Sequence, residues 1–148
     1  AIAQSPLAAA YNTPEHRIFD HRTYVICGDG CLQEGVSAEA SSLAGHLGLG
    51  RLVVLYDDNG ITIDGSTDLS FTEDVGKRYE AYGWHVSAVS DVANGLDDLR
   101  AAIKEAEAVA DKPSLIKVKT VIGFGSKIAG THKVHGAPIG EAGLADGR

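Results

Sequence analysis

The sequence contains no methionine and only two cysteines, Cys27 and Cys31, among its 148 residues. Two cysteines cannot build the disulfide framework of a small secreted domain, so we expect a cytoplasmic protein. Methionine is absent even from position 1, which leads us to expect a processed or excised piece of a longer chain.

The sequence also lacks a run of about 20 apolar residues, the length that a membrane span needs. A basic-then-apolar leader is absent as well, so nothing in the sequence predicts secretion. Positive charge is scarce, because 13 Lys and Arg face 20 Asp and Glu, for a net charge of -7. That balance opposes binding to nucleic acid or to an anionic membrane. We expect neither partner.

The remaining composition is that of one ordinary domain, with 44% hydrophobic and 22% charged residues. Short apolar, β-rich runs alternate with stretches of helical spacing. We predict strands at 23–27, 52–56, 86–89 and 115–121, and helices at 2–11, 34–47, 70–82 and 96–110. Ser70 and Glu73 have the spacing of a capping box for the third helix. This order predicts an α/β fold with a mostly parallel sheet and helices on both faces. Residues 122–148 are expected to form a glycine-rich loop and tail.

Three loops, 28–35, 57–65 and 122–136, each follow a predicted strand. In parallel sheets covered by helices, ligands bind beyond the carboxyl ends of the strands. We therefore expect these three loops to converge on one site.

The first loop begins with Gly28-Asp29-Gly30 and leads into a helix. Glycines before a helix N-terminus suit a diphosphate, because free backbone N–H groups favour anions. A dinucleotide fingerprint does not fit, since Gln33 stands where the third glycine belongs. Asp29 would repel a bare diphosphate, and a divalent cation between them reverses that interaction. Asp29 therefore favours a metal-bridged diphosphate, and we expect it to matter more to the site than to the core.

The second loop offers further oxygen ligands in Asp57, Asp58 and Asn59. A hard cation such as Mg²⁺ takes about six oxygens and only a few of them from protein. Asp and Asn are also common in turns, so Asp29 or Asn59 alone is more typical of a simple turn. Together, at the ends of adjacent predicted strands, the two residues favour a metal site.

The third loop carries His132 and His135 in a glycine-rich stretch. The spacing of Gly125 and Gly130 resembles that of a P-loop, but Thr131 stands where that motif requires a lysine, so the motif is excluded. A histidine here can contact a phosphate or transfer a proton near neutral pH. No further cysteine completes a zinc site, so we expect Cys27 to be a core residue and Cys31 a loop residue.

Gly28-Asp29-Gly30, a gap of 28 residues and then Asn59 resemble the thiamine diphosphate signature. Longer segments are more specific: GDGCLQEG, SLAGHLGLG, YDDNGITIDG, EDVGKRYEAYGW and IGFGSKIAGTHKVHGAP each resemble transketolase. The similarity runs from about residue 1 to about residue 140.

This resemblance implies roles for individual residues. Asp29, Asn59 and the backbone carbonyl of Ile61 would bind Mg²⁺, or Ca²⁺ in its place. The remaining residues implied in cofactor binding are Gly28, Gly30, Glu34, Ile63, Ile122 and His135. Gly30 would approach the diphosphate, Glu34 would lie near a dimer interface, and Ile63 and Ile122 would pack around the cofactor. His135, in the His-Gly pair, would also act on the substrate side as the catalytic residue.

The implied activity is transfer of a two-carbon ketol unit from a ketose phosphate to an aldose phosphate. The resemblance implies that residues 1–148 correspond to a partial thiamine-diphosphate-binding domain, incomplete at its N-terminal side. The domain that binds the aminopyrimidine ring has no counterpart here, so we expect little turnover from this chain alone. Expected partners are sugar phosphates and a second copy or a complementary transketolase chain. The alternatives are another thiamine diphosphate enzyme, such as a dihydroxyacetone synthase or a split-subunit transketolase, and an inactive structural fragment.

Overall fold

The computed structural model describes residues 1–93 and 95–146. Four strands form one sheet in the spatial order β1-β2-β4-β3, and every neighbouring pair is parallel. The strands are β1 Thr23–Gly28, β2 Leu52–Asp58, β3 His85–Val89 and β4 Ser114–Lys119. The predicted parallel α/β fold is confirmed.

The helices alternate with these strands. They are α1 Gln4–Tyr11, α2 Asp29–Gln33, α3 Gly35–His46, α4 Val75–Ala81, α5 Asp97–Ala108 and α6 Gly140–Asp146, with 3-10 turns at Thr67–Leu69 and His132–Val134. Within the described residues, none of the helices has the length and apolar character needed to cross a bilayer.

The core lies on both faces of the sheet, because adjacent residues of a strand point to opposite sides. On one face, Val54, Tyr56 and Leu115 pack with side chains of α2, α3 and α4. On the other face, Val53, Ile116 and Val118 pack with Ala102 and Ala106 of α5. Small alanines on α5 let that helix approach the sheet closely. The central strands β2 and β4 are therefore covered on both sides.

The outer strand β1 is much less covered. Its in-register pairing with β2 places Tyr24 and Ile26 on the α5 face, but α5 packs mainly on β2, β3 and β4 and meets β1 at the hydrogen bond that the Tyr24 hydroxyl donates to Glu107. Tyr24 is 47% exposed and Ile26 is 80% exposed. An apolar strand thus forms an open edge of the sheet.

The structure corrects the predicted elements most clearly in three places. Residues 29–33 form the short helix α2, because Leu32 is anchored in the core at 3% exposure. The capping residue of α4 is Asp74, which accepts from the backbone N–H of Lys77, while Ser70 instead donates to the side chain of Gln33. The 122–148 segment, expected to be loop, contains a 3-10 turn and α6.

Candidate functional site

The carboxyl ends of β1 and β2 and the segment after β4 enclose a cavity of about 680 Å³. The three loops expected to converge all contribute to it. Its lining residues are Gly28, Asp29, Gly30, Cys31, Glu34, Asp57, Asn59, Ile61, Ile122, His135 and Gly136. Most of the residues predicted separately along the sequence are therefore brought together in one place.

Asp29 is the most buried polar residue of this cavity, at 2% exposure. One carboxylate oxygen accepts from the hydroxyl of Tyr56, and the other accepts from the backbone N–H of Gly60 at 3.0 Å. Gly60 presents that N–H from a left-handed conformation, φ 72°, which favours glycine. A carboxylate has about four acceptor positions, so further lone pairs stay free for a cation. Asp29 is thus buried and bonded to two donors, so it contributes to the fold as well as to the site, where the sequence predicts a contribution mainly to the site.

Tyr56 is fixed as a donor toward Asp29. Burial of the ring, together with the hydrogen bond to Asp29, raises the pKa of Tyr56 well above its ordinary value. The hydroxyl therefore keeps its proton at any physiological pH.

The amide of Asn59 is held at both ends. Its Oδ1 accepts from the backbone N–H of Ile61 at 2.9 Å, and its Nδ2 donates to Asp57 Oδ2 at 3.3 Å. Asp57 also accepts from the hydroxyl of Thr120, just beyond β4. Asp58 points away from this group and pairs with Lys119 at 3.3 Å. Of the two adjacent carboxylates, only Asp57 lines the cavity.

The glycines of the first loop leave their backbone open to the cavity. A Cβ added at Gly28 or at Gly30 would meet no atom within 4 Å. An incoming anionic group can therefore approach this backbone without displacing a neighbouring side chain.

The two histidines of the third loop have different positions. His135 lines the cavity, whereas His132 begins the 3-10 turn and does not line it. Ile122 lies in the lining, but Ile63 is 68% exposed and outside it. His85, which sequence analysis did not assign to any site, lies at the amino end of β3, away from the cavity, and contacts Ser114 of β4 and Glu105 of α5.

Cys27 has the environment expected of it, whereas Cys31, which was expected in a loop, lies in the short helix α2. Cys27 packs against the core beside α2 and α3, and its burial raises its pKa to about 11. Cys31 is exposed. A thiol with a raised pKa is a poor nucleophile at neutral pH, so Cys27 is a packing residue.

Sequence analysis missed Tyr56 and Thr120. Neither is a ligand position of the spaced motif, although Tyr56 is the first residue of the YDDNGITIDG segment, and each acts through another side chain, Asp29 or Asp57. Strand alternation places Asp57 and Thr120 on one face and Asp58 on the other. That distinction requires the register of β2 with β4, which the sequence alone does not provide.

The donor set at the cavity is compatible with a hard cation. Among the described residues, no three His, Cys, Asp or Glu side chains form a metal-binding group. A cation here would need neutral oxygens from Asn59 and the Ile61 backbone beside the carboxylate of Asp29. Mg²⁺ commonly binds in this way, with few protein ligands and the remainder from phosphates and water. The residues present therefore fit a metal-bridged diphosphate.

Fold and site together define an α/β protein with an oxygen-rich ligand cavity at the carboxyl edge of a parallel sheet. The family described as "Transketolase, thiamine diphosphate binding domain" matches residues 1–148. The chain belongs to the transketolase family.

Relatives and solved structures agree with that assignment. A transketolase of Nostoc sp. is 60% identical over 141 residues, and Transketolase 1 of Saccharomyces cerevisiae is 59% identical over 139 residues. The crystal structure of a Pichia stipitis transketolase complex with sedoheptulose-7-phosphate matches 98% of the chain, with a TM-score of 0.94 and 54% identity. These matches cover 95%, 94% and 98% of this chain but only 21%, 20% and 21% of the other proteins. The chain thus spans about one fifth of the length of its relatives.

Proposed function

We propose that this chain supplies the metal and diphosphate half of a thiamine diphosphate site. Asp29, Asn59 and the Ile61 carbonyl would hold Mg²⁺, with Ca²⁺ as a substitute. The backbone at Gly28 and Gly30 would receive the diphosphate. The observation that carries this proposal is Asp29, a carboxylate at 2% exposure that is fixed by two donors at the wall of an open cavity.

The other lining residues have roles around the same group. Ile122 would pack against the cofactor, and Glu34 lies at the cavity rim, where a second chain could reach it. Ile63 lies outside the cavity lining and would reach the cofactor only if a second chain completed that wall. These positions favour an assembly in which this chain meets another copy or a complementary transketolase chain.

The whole protein to which this chain belongs would transfer a two-carbon ketol unit from a ketose phosphate to an aldose phosphate. Thiamine diphosphate supplies the carbon–carbon bond chemistry when bound, and the protein binds and orients. His135, at the cavity, would contact the sugar phosphate or move a proton there. The complex of the Pichia stipitis transketolase with sedoheptulose-7-phosphate supports a sugar phosphate as substrate.

The cytoplasm is the compartment we expect, and this rests on the cysteine content alone. One relative is a chloroplastic transketolase of Zea mays, 58% identical over 141 residues.

Calorimetric titration with thiamine diphosphate tests the binding proposal. We expect binding in the presence of Mg²⁺, loss of binding when EDTA is added, and recovery with excess Mg²⁺. Thiamine, which lacks the diphosphate, is the matched control ligand and should bind far more weakly. Equal binding of both ligands, or binding that ignores EDTA, would contradict a metal-bridged diphosphate.

A further inference from the structure

A chain of side-chain hydrogen bonds leads from β4 to the amide of Asn59. The Thr120 hydroxyl donates to Asp57 Oδ1, and Asn59 Nδ2 donates to Asp57 Oδ2 at 3.3 Å. All three residues are partly buried, and Asp57 and Asn59 line the cavity. We name this chain the Thr120 relay.

The relay determines which end of the Asn59 amide faces which neighbour. An ionised carboxylate only accepts hydrogen bonds, so Asp57 can pair with the NH₂ end of an amide and not with its oxygen. A flipped Asn59 would place Oδ1 against the Asp57 carboxylate and NH₂ against the Ile61 N–H. Both contacts would be repulsive. With Asp57 in place, Oδ1 is directed away from Asp57 and toward Ile61.

Thr120 fixes Asp57 in turn. Parallel pairing of β2 with β4 aligns Asp57 with Val118 and Asp58 with Lys119. Strand alternation then puts Thr120, the next residue after Lys119, on the same face as Asp57. Asp58 is on the opposite face and pairs with the Lys119 side chain. The two adjacent carboxylates therefore have different roles. Asp58 forms an ion pair with Lys119, and Asp57 accepts a hydrogen bond from the side-chain amide of Asn59.

From this geometry we infer that Asp57 and Thr120 are positioning residues that orient the Asn59 oxygen toward a divalent cation. The inference rests on the proposed function, in which Asn59 is a metal ligand. Hydrogen-bond partners behind a metal ligand commonly contribute roughly 10-fold to 100-fold in metal affinity. In the Thr120 relay, Asp57 and Thr120 would be such partners, and the ligand that they hold would be the amide of Asn59.

The decisive variant is Thr120→Val, which removes the hydroxyl and keeps both the shape and the Asp57 charge. Affinity for Mn²⁺ is measured by paramagnetic resonance in the presence of thiamine diphosphate, for the parent and each variant. We expect Thr120→Val to weaken Mn²⁺ binding roughly 10-fold and Asp57→Asn to weaken it at least as much. Thr120→Ser should restore the parent affinity, because it restores the donor.

Asp58→Asn is the matched control, since it removes a carboxylate from the next position on the same strand. It should leave Mn²⁺ affinity within about twofold of the parent, as expected for a partly exposed ion pair that does not line the cavity. Thermal unfolding of every variant establishes that the fold is intact. If Thr120→Val does not fold, the comparison of Asp57→Asn with Asp58→Asn takes its place.

A second readout does not depend on the metal. The ¹⁵N-labelled side-chain amide of Asn59, assigned through Asn59→Ala, should give two separate proton signals in the parent. In Thr120→Val, faster solvent exchange of those protons is expected, with recovery in Thr120→Ser.

The outcomes separate the two proposals. Parent protein that binds no Mn²⁺ with thiamine diphosphate overturns the proposed function and the relay with it. Parent protein that binds, with Thr120→Val binding equally well, overturns the relay alone. Weakening by Asp57→Asn but not by Thr120→Val would mean that Asp57 acts through its charge, which also overturns the relay.

Discussion

At the residue scale, the site combines residues that the sequence identifies with residues that only the fold identifies. Asp29 and Asn59 belong to a spaced motif and are found from the sequence. Tyr56 and Thr120 have no such signature, because their role is set by cross-strand neighbours whose register is a tertiary property. The proposed ligand residues are therefore predictable from the sequence, and the side chains that hold them in place are not.

Replacement of Asp29 is expected to affect both binding and stability. Asp29→Ala should abolish Mg²⁺-dependent binding of thiamine diphosphate. It also leaves the Tyr56 hydroxyl and the Gly60 N–H without their acceptor, at a cost of roughly 1–3 kcal/mol in the free energy of unfolding. Denaturant unfolding of the metal-free protein measures that loss.

Asp58→Ala is the control for this experiment. It removes a carboxylate from the end of the neighbouring strand β2 but breaks only the partly exposed pair with Lys119, so stability should change by less than about 1 kcal/mol. Equal stability losses in the two variants would mean that the contacts of Asp29 contribute nothing specific to the fold.

His135 is expected to matter for chemistry and not for stability. It is exposed in a glycine-rich segment, and its side chain has little packing to lose. His135→Ala should change the free energy of unfolding by less than about 0.5 kcal/mol. In an assembled, active transketolase the same change should lower turnover roughly 100-fold.

His132→Ala is the matched comparison, because His132 is also exposed but does not line the cavity. Its effect on turnover should be clearly smaller. Equal kinetic losses would undo this division of roles, and a large drop in melting temperature for His135→Ala would make it a structural histidine.

At the element scale, periodicity locates strands and helices well and their ends less well. The four strands lie within a few residues of their predicted positions, because buried apolar runs are strong signals. The short helix α2 escaped detection, because glycine and aspartate have low helix propensity and its conformation depends on Leu32 packing and the bonds of Asp29. Tertiary contacts, and not local sequence preference, determine whether such a short segment forms a helix.

The first turn of α4 provides a pH test of helix capping. The Lys77 backbone N–H donates to Asp74 Oδ1 at 3.2 Å, and this bond lowers the pKa of Asp74 from 3.8. Because the pKa of Asp74 is lower in the folded state than in the unfolded state, the cap stabilises the folded protein at pH values above the ordinary pKa of an aspartate. That contribution is lost as pH falls through the lowered folded value.

Asp74→Ala should therefore melt a few degrees below the parent near neutral pH. The difference should disappear in acid, below the ordinary carboxyl range. Asp74→Ser is the control, because serine caps helices without titrating in this range and should keep its stability advantage over alanine at both pH values. A difference between parent and Asp74→Ala that stays constant with pH would exclude capping by the ionised carboxylate.

At the scale of the whole molecule, the sheet is well covered in the middle and open at β1. The outer edge of β1 is not paired with any other described strand, and Ile26 is 80% exposed beside it. Unpaired strand edges and exposed apolar patches are surfaces that favour association. The expectation of self-association or of a complementary chain now has a specific location.

We expect this chain, studied alone, to form dimers or larger oligomers through the β1 edge. Ile26→Lys should shift the protein toward monomer, because a lysine on an open strand edge opposes strand pairing. Sedimentation velocity over a range of concentrations measures the shift.

Leu69→Lys is the matched control, since Leu69 is 75% exposed, lies far from β1 in sequence and gains the same charge. If both substitutions dissociate the oligomer equally, net charge and not the β1 edge controls association. A parent protein that sediments as a monomer at every concentration would show that the open edge is tolerated in water.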